Sequence, residues 1–196
     1  MTTSLTRILL ALPLLTLLAC SSNNTSAEDP VAAARARNEK QIDTADITKK
    51  QEVDAEFLVN TTGNALLGVE LGKLAQQRGT SAQVRAYGPQ LVQQRLELLR
   101  ALQGLATAKQ LSVPADLGQD ARDAYHEVST KTGPQLDKQL MDLIIKTQRQ
   151  DEDAFDDMRD DAYDGDIRGL AAKFLPAVEE QLTAAKAIEN QLAEMP

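Results

Sequence analysis

The chain has 196 residues, with 21 basic and 29 acidic side chains that give it a formal net charge of −8 at pH 7. This acidic balance argues against a nucleic-acid partner, because binding to phosphates requires a basic surface. Cys20 is the only cysteine, which excludes a disulfide within one chain, so an apolar core must stabilise the folded part.

The first nineteen residues have the three-part form of an export signal. Arg7 supplies the positive charge, and Ile8 to Leu18 form an apolar run that is too short for a membrane-spanning helix of about 20 residues. The run ends in Leu17-Leu18-Ala19-Cys20, which resembles the lipobox of bacterial lipoproteins. The resemblance implies cleavage before Cys20 and attachment of lipid to its thiol, and two or more acyl chains anchor a protein stably to a membrane.

An ordinary secretory signal with an incidental cysteine is the alternative interpretation. Ser21 and Ser22 stand where lipoproteins retained in the inner membrane carry Asp, so the resemblance implies the outer membrane, with the protein facing the periplasm. Removal of residues 1–19 also removes Arg7, so the formal charge of the mature chain is −9.

Residues 20–50 are polar and poor in large apolar side chains. This composition predicts a flexible tether that can form a transient helix around Ala32 to Arg37. The remaining segment, residues 51–196, is long enough for one domain with one core.

Helical periodicity continues through this domain, without sustained alternation of apolar and polar residues. A first helix is predicted from Val53 to Arg78, followed by Gly79. Thr80 to Gln83 resembles a capping box that opens the second helix. That helix has an apolar seam at spacings of three and four residues, with Pro89 expected to bend it.

A loop is predicted from Leu111 to Gly118 and a short helix from Gln119 to Thr130. The third long helix is expected from Gly133-Pro134 to about Asp164, and the fourth from Ile167 to Leu192 with a bend at Pro176. Each long helix has one apolar seam. The pattern therefore predicts an all-α, up-down four-helix bundle with a short extra helix between helices 2 and 3.

Several short motifs follow one another along the domain: Asp54-x-x-Phe57, Val69-Glu70-Leu71-Gly72-x-Leu74-Ala75, Ser81-x-x-Val84 with Tyr87, Gly133-x-x-x-Asp137, Asp151-x-x-x-Phe155 and Leu175-Pro176. In this order they resemble the DUF4142 family, a ferritin-like helical bundle of bacterial exported proteins that has no assigned biochemical function.

The chain departs from this family at three histidines. Gln94-Arg95 replaces an Asp-His pair in the second helix, and Gln148 and Gln181 replace histidines in the third and fourth. Gly68 also stands where a glutamate is common, although Glu70 is kept.

Periodicity alone places Arg95, Gln148 and Gln181 on the apolar seams of three helices. A buried charge or amide is costly unless it is paired, so we expect one polar cluster in the middle of the bundle, with Glu70 or Asp151 as the partner of Arg95. The alternative is that Arg95 reaches the surface along its alkyl stem and that both glutamines lie at the edges of their seams.

Ferritin-like bundles bind two metals through carboxylates and Glu-x-x-His motifs, but the imidazoles are missing here. His126 is the only histidine, and a lone histidine on a connecting helix is typical of a solvated side chain. The acidic tract between Asp151 and Asp166 lacks the glycine and the ligand spacing of an EF-hand. We therefore expect no bound metal and no cofactor.

The mature domain has no free cysteine, no Ser-His pairing by motif and no glycine-rich phosphate loop. We therefore expect a non-catalytic, lipid-anchored periplasmic module with a degenerate metal site, which binds the membrane through Cys20 and a partner protein in the cell envelope. The alternative function is a carboxylate-based metal protein that uses Glu70 and Asp151.

Overall fold

The computed structural model describes residues 28–43 and 49–194, and within these ranges all regular secondary structure is helical. The expected all-α class is confirmed. The export signal and Cys20 lie outside the described residues. The six helices are α1 (Pro30–Asp43), α2 (Lys49–Arg78), α3 (Ala82–Ala108), α4 (Gln119–Ser129), α5 (Gly133–Asp161) and α6 (Gly165–Ala193). None of these described helices combines the length and the apolar character that crossing a membrane requires.

The four long helices share the interior of a helical bundle. Helix α2 packs mainly against α3 and α5 against α6, and the two pairs meet through α2 with α5 and through α3 with α6. Two apolar clusters fill the interior. One contains Phe57, Leu102 and Phe155, and the other contains Leu71 and Leu140.

The backbones of α2 and α3 come into direct contact at two glycines. A Cβ atom built on Gly88 would lie 2.5 Å from the carbonyl oxygen of Gly72, and one built on Gly72 would lie 2.9 Å from that of Gly88. Any side chain at either position would therefore force these helices apart. This contact fixes the depth at which the side chains of α3 enter the interior. Helix α3 runs through Pro89 without interruption, and α6 runs through Pro176 in the same way.

Most predicted helix boundaries agree with the structure within a few residues, but the capping box was wrong. The N-cap of α3 is Ser81, whose hydroxyl accepts a hydrogen bond from the Val84 amide at 3.1 Å. Thr80 instead donates its backbone N–H to Asp137 on α5 at 2.7 Å. The free backbone N–H group of this turn is thus satisfied by a buried carboxylate from another helix. A motif of neighbouring residues could not predict such a contact.

The prediction of a flexible tether is corrected for part of its length, because Pro30–Asp43 forms helix α1 and packs against α2. Asp29 caps this helix by accepting hydrogen bonds from the amides of Val31 and Ala32, both at 3.0 Å. The buried Asn38 side chain pairs with both backbone groups of Ser112, at 2.9 Å and 2.6 Å. The face of α1 that packs against the rest of the domain thus consists largely of alanines and the Asn38 amide. The sequence of this segment therefore shows no strong apolar stripe.

A buried polar cluster as the candidate functional site

An ion pair between Arg95 on α3 and Asp151 on α5 lies in the centre of the bundle. The two side chains are only 2% and 1% exposed, and Nη1 of Arg95 donates to Oδ2 of Asp151. Asn64 on α2 donates its amide N–H to the other carboxylate oxygen at 2.8 Å. Both oxygens of Asp151 therefore have a donor, which is the condition under which a buried carboxylate is tolerated.

Burial dominates the electrostatics of Asp151. It raises the pKa of this carboxyl above its usual value, because a charge that has lost its water is destabilised. The Arg95 charge and the Asn64 hydrogen bond act in the opposite direction and limit the rise. The proton affinity of Asp151 thus depends directly on its two contacts.

A second group of hydrogen bonds lies beside this pair and centres on Tyr87. Gln148, which is fully buried, donates its amide N–H to the Tyr87 hydroxyl at 2.8 Å. The hydroxyl in turn donates to the backbone carbonyl of Gln181 on α6 at 3.2 Å. Burial raises the pKa of Tyr87, with the Gln148 bond and the Arg95 charge opposing the rise. Tyr87 is therefore a neutral phenol at physiological pH.

The two groups form one cluster because α5 contributes to both. Gln148 and Asp151 are three residues apart and lie on neighbouring turns of one helix face. We define the polar cluster as Asn64, Tyr87, Arg95, Gln148, Asp151 and Gln181. Arg95 on α3, Gln148 and Asp151 on α5, and Gln181 on α6 fall between the residues of the two apolar clusters, whereas Tyr87 belongs to the second of them. A polar layer therefore separates the two halves of the core.

Three atoms of this cluster have no hydrogen-bond partner among the described residues. They are Nε of Arg95, Oε1 of Gln148 and Oε1 of Gln181, and each is buried. One is a donor and two are acceptors. Each atom belongs to one of the three side chains that the resemblance places at family histidine positions.

Gly68 provides the space for Arg95. A Cβ atom built on Gly68 would lie 3.0 Å from both Cγ and Nε of Arg95, which is closer than side-chain packing normally allows. The glycine and the arginine are therefore a matched pair of residues on α2 and α3. By the resemblance, both positions were expected to depart from the family pattern, but only the structure connects them.

Glu70 lies outside the polar cluster, so its proposed inclusion is corrected. Its side chain is 37% exposed and forms an ion pair with Lys73 on the same helix at 2.6 Å. Asp151 is thus the partner of Arg95, and Glu70 and Asp151 do not share a site. Tyr87 was expected only as a motif residue and Asn64 was not among the expected site residues, so their place in the cluster was missed.

Two further buried carboxylates accept hydrogen bonds from the backbone of segments that connect long helices. Asp137 accepts from the amides of Thr80 and Ser81 at 2.7 Å and 2.6 Å. Asp54 accepts from those of Tyr163 and Asp164 at 3.0 Å and 2.7 Å. Each carboxylate thus fixes one turn between long helices, and neither contributes to the polar cluster.

The remaining sequence candidates are on the surface. His126 is exposed on α4. In the acidic tract, Arg159 pairs with Asp156 and Asp160, and Lys109 pairs with Asp164. Among the described residues, no group of three or more His, Cys, Asp or Glu side chains could hold a metal ion.

A cleft of about 430 Å³ reaches from the surface to Asn64, which is the one member of the polar cluster among its lining residues. It lies between α1, α2, α4 and α5, and Asn64 and Thr147 line it together with Arg35 and Lys146. Asn64 therefore has one side in the cleft and donates on the other to Asp151. A larger groove of about 860 Å³ lies near Thr80 and Leu192 and shares no residue with the cluster, so we assign the chemistry to the interior.

Comparison with known proteins identifies one family. A family model described as "Domain of unknown function (DUF4142)" matches residues 39–188. The match covers most of the chain and includes every member of the polar cluster. No curated protein matches the chain, and no solved structure matches it.

Proposed function

This chain belongs to the DUF4142 family, and we propose that it is a non-catalytic, lipid-anchored binding or interaction module of the periplasm. The sequence Leu17-Leu18-Ala19-Cys20 supports the anchor. By this proposal, lipid on Cys20 holds the domain at the outer membrane. The acidic surface then faces the periplasm, where a partner protein of the cell envelope binds it.

The observation that carries the non-catalytic part is the buried ion pair of Arg95 and Asp151. Both side chains are almost completely shielded from solvent, so a substrate could not reach either charge. The guanidinium also supplies a fixed positive charge at a position where the resemblance implies a metal-ligating histidine. We infer that the guanidinium of Arg95 takes the place of a bound metal cation. The metal site is degenerate in this sense.

We further propose that the four long helices form the up-down, ferritin-like arrangement. Short connections join α2 to α3 and α5 to α6, and these same pairs pack most extensively. Neighbouring helices joined by short turns are antiparallel in such bundles. The contacts of α2 with α5 and of α3 with α6 close the arrangement into a square.

Metal analysis of the mature chain tests this proposal. Protein purified without chelators should contain no stoichiometric iron, manganese or zinc, and a chelator should leave its melting temperature unchanged. The variant Glu70→Gln is the control for the carboxylate-based alternative, and it should behave like the wild type. One or two tightly bound transition metals per chain would contradict the proposal.

The partner is then sought by pull-down from the cell envelope with the mature chain as bait. A protein that is captured reproducibly, and that binds the purified chain directly, supports an interaction module. Turnover of a substrate by the purified chain would argue for an enzyme instead.

A further inference from the structure

We propose that the polar cluster is a binding site for internal water, which accepts a hydrogen bond from Nε of Arg95 and donates to Oε1 of Gln148 and Oε1 of Gln181. These three buried atoms have no partner among the described residues. Buried polar groups in folded proteins nearly always have a partner, and ordered water supplies it where protein atoms do not.

The chemistry of the three atoms selects water over other small molecules. Arg95 Nε can only donate, whereas the two glutamine oxygens can only accept. A ligand must therefore offer at least one lone pair and two hydrogens. One water molecule offers both, and it makes the three hydrogen bonds that are usual for a buried water.

A metal ion does not fit the same three atoms. The N–H of Arg95 would point its hydrogen at the cation, and the guanidinium charge would repel it. An anion does not fit either, because two carbonyl oxygens would face it. The neutral ion pair with Asp151 also leaves no net charge for an ionic ligand to balance.

The hydrogen-bonded contacts of the cluster bring the three side chains into one region of the core. Gln148 and the backbone of Gln181 both bond to the Tyr87 hydroxyl. Arg95 bonds to Asp151, one turn away from Gln148 on α5. The region therefore lies among α3, α5 and α6 beside Tyr87 and Asp151, and α2 borders Nε of Arg95 at Gly68.

The cleft beside Asn64 provides the route by which this water exchanges with solvent. Asn64 lines the cleft and donates to Asp151 at 2.8 Å. Rotation of this one amide would open the region of Asp151 to the cleft. The water is thus expected to be long-lived but exchangeable, since it is released by local motion without global unfolding.

Oxygen-17 and deuterium relaxation dispersion of water tests the proposal with the full mature chain. The wild type should show a dispersion amplitude equal to at least one long-lived water. The double variant Gln148→Met/Gln181→Met keeps the side-chain length and removes both acceptors, and it should lose this amplitude. Gln93→Met, the same change at an exposed position on α3, should keep it.

A high-resolution crystal structure of the wild type gives an independent readout if the double variant does not fold. Electron density for water within hydrogen-bond distance of Arg95 Nε and at least one of the two glutamine oxygens is expected. Absence of such density, or an unchanged dispersion amplitude in a folded double variant, would overturn the inference. Neither result depends on the lipid anchor or on a partner, so the proposed function is tested separately.

Discussion

The stem of Arg95 occupies the space that any side chain at position 68 would need. A Cβ atom on Gly68 would lie 3.0 Å from Cγ and Nε of Arg95. The guanidinium cannot retreat, because Asp151 holds it from the other side. Arg95 on α3, in this position, therefore requires a glycine at position 68 on α2.

Gly68→Ala should destabilise the wild-type protein by about 1 kcal/mol. Overpacking a rigid core costs about 1–3 kcal/mol, and the better helix propensity of alanine offsets up to about 1 kcal/mol. In an Arg95→Ala background the space is free, so the same change should stabilise by up to about 1 kcal/mol. Denaturation midpoints of the four proteins measure both effects.

Gly104→Ala is the matched control, because Gly104 lies in α3 with no atom within 4 Å of an added Cβ. It should stabilise the protein in either background. If Gly68→Ala stabilises the wild type as much as Gly104→Ala does, Arg95 does not constrain position 68.

The pH dependence of stability should include an unusual contribution from Asp151. Burial raises its folded-state pKa above that of the unfolded chain, so the folded state binds more protons between these two values. The free energy of unfolding contributed by this group therefore falls as the pH rises through that window. The stability of the wild type relative to Asp151→Asn should increase as the pH is lowered from 7 toward the usual aspartate range.

Urea titrations of both proteins at several pH values measure this difference, and the shared contributions of other carboxylates cancel. Asp160, whose pKa is lowered by Arg159, provides the contrast. Its contribution is present above the unfolded pKa and is lost as the pH falls through the lowered value. A relative stability that decreases on acidification would show that Arg95 outweighs burial at Asp151.

Much of the fold followed from the sequence because glycine and proline mark the helix ends. Gly79 follows the last residue of α2, and Gly133-Pro134 opens α5, as predicted. Helix α1 was predicted only as a transient helix within a flexible tether, because its buried face consists of Ala33, Ala34, Asn38 and Ile42. Such a face resembles a polar linker until its partner surface is known.

The polar cluster could be predicted only in part, for a geometric reason. Arg95 stood alone among leucines on a narrow seam, so its burial followed from periodicity. Helix α2 buries half of its residues, including consecutive ones, so its pattern could not decide whether Glu70 faces inward. Asn64 belongs to the site because its amide donates the second hydrogen bond to Asp151. This contact depends on how α2 and α5 are oriented toward each other, which the sequence pattern does not show.

The lipid anchor is tested by Cys20→Ala. Without the thiol, lipid cannot be attached, so labelling with a radioactive fatty acid should be lost and the precursor should remain uncleaved. Ser22→Ala, two residues further along, should be labelled and cleaved normally. A Cys20→Ala protein that is cleaved and still fractionates with the membrane would exclude the lipoprotein interpretation.

The buried ion pair makes the most decisive prediction. Arg95→Ala leaves the Asp151 carboxylate buried with only Asn64 as a donor, and stranding one member of such a pair typically costs about 3–5 kcal/mol. Asp151→Leu strands the guanidinium and should cost a similar amount. Arg95→Leu/Asp151→Leu removes both charges and should recover most of the loss, because buried pairs can be replaced by apolar residues at little cost.

A double-mutant cycle on urea midpoints gives the coupling energy between the two positions. Glu70→Leu is the control, because Glu70 pairs with Lys73 on the surface and should change stability by less than about 1 kcal/mol. Combined with Arg95→Leu it should show no coupling.

Two results would contradict the assigned geometry. One is an Arg95→Ala variant within about 0.5 kcal/mol of the wild type, as for an exposed residue, and the other is a coupling of Arg95 to Glu70 that exceeds its coupling to Asp151. Either would remove the fixed internal cation from which the non-catalytic function was inferred.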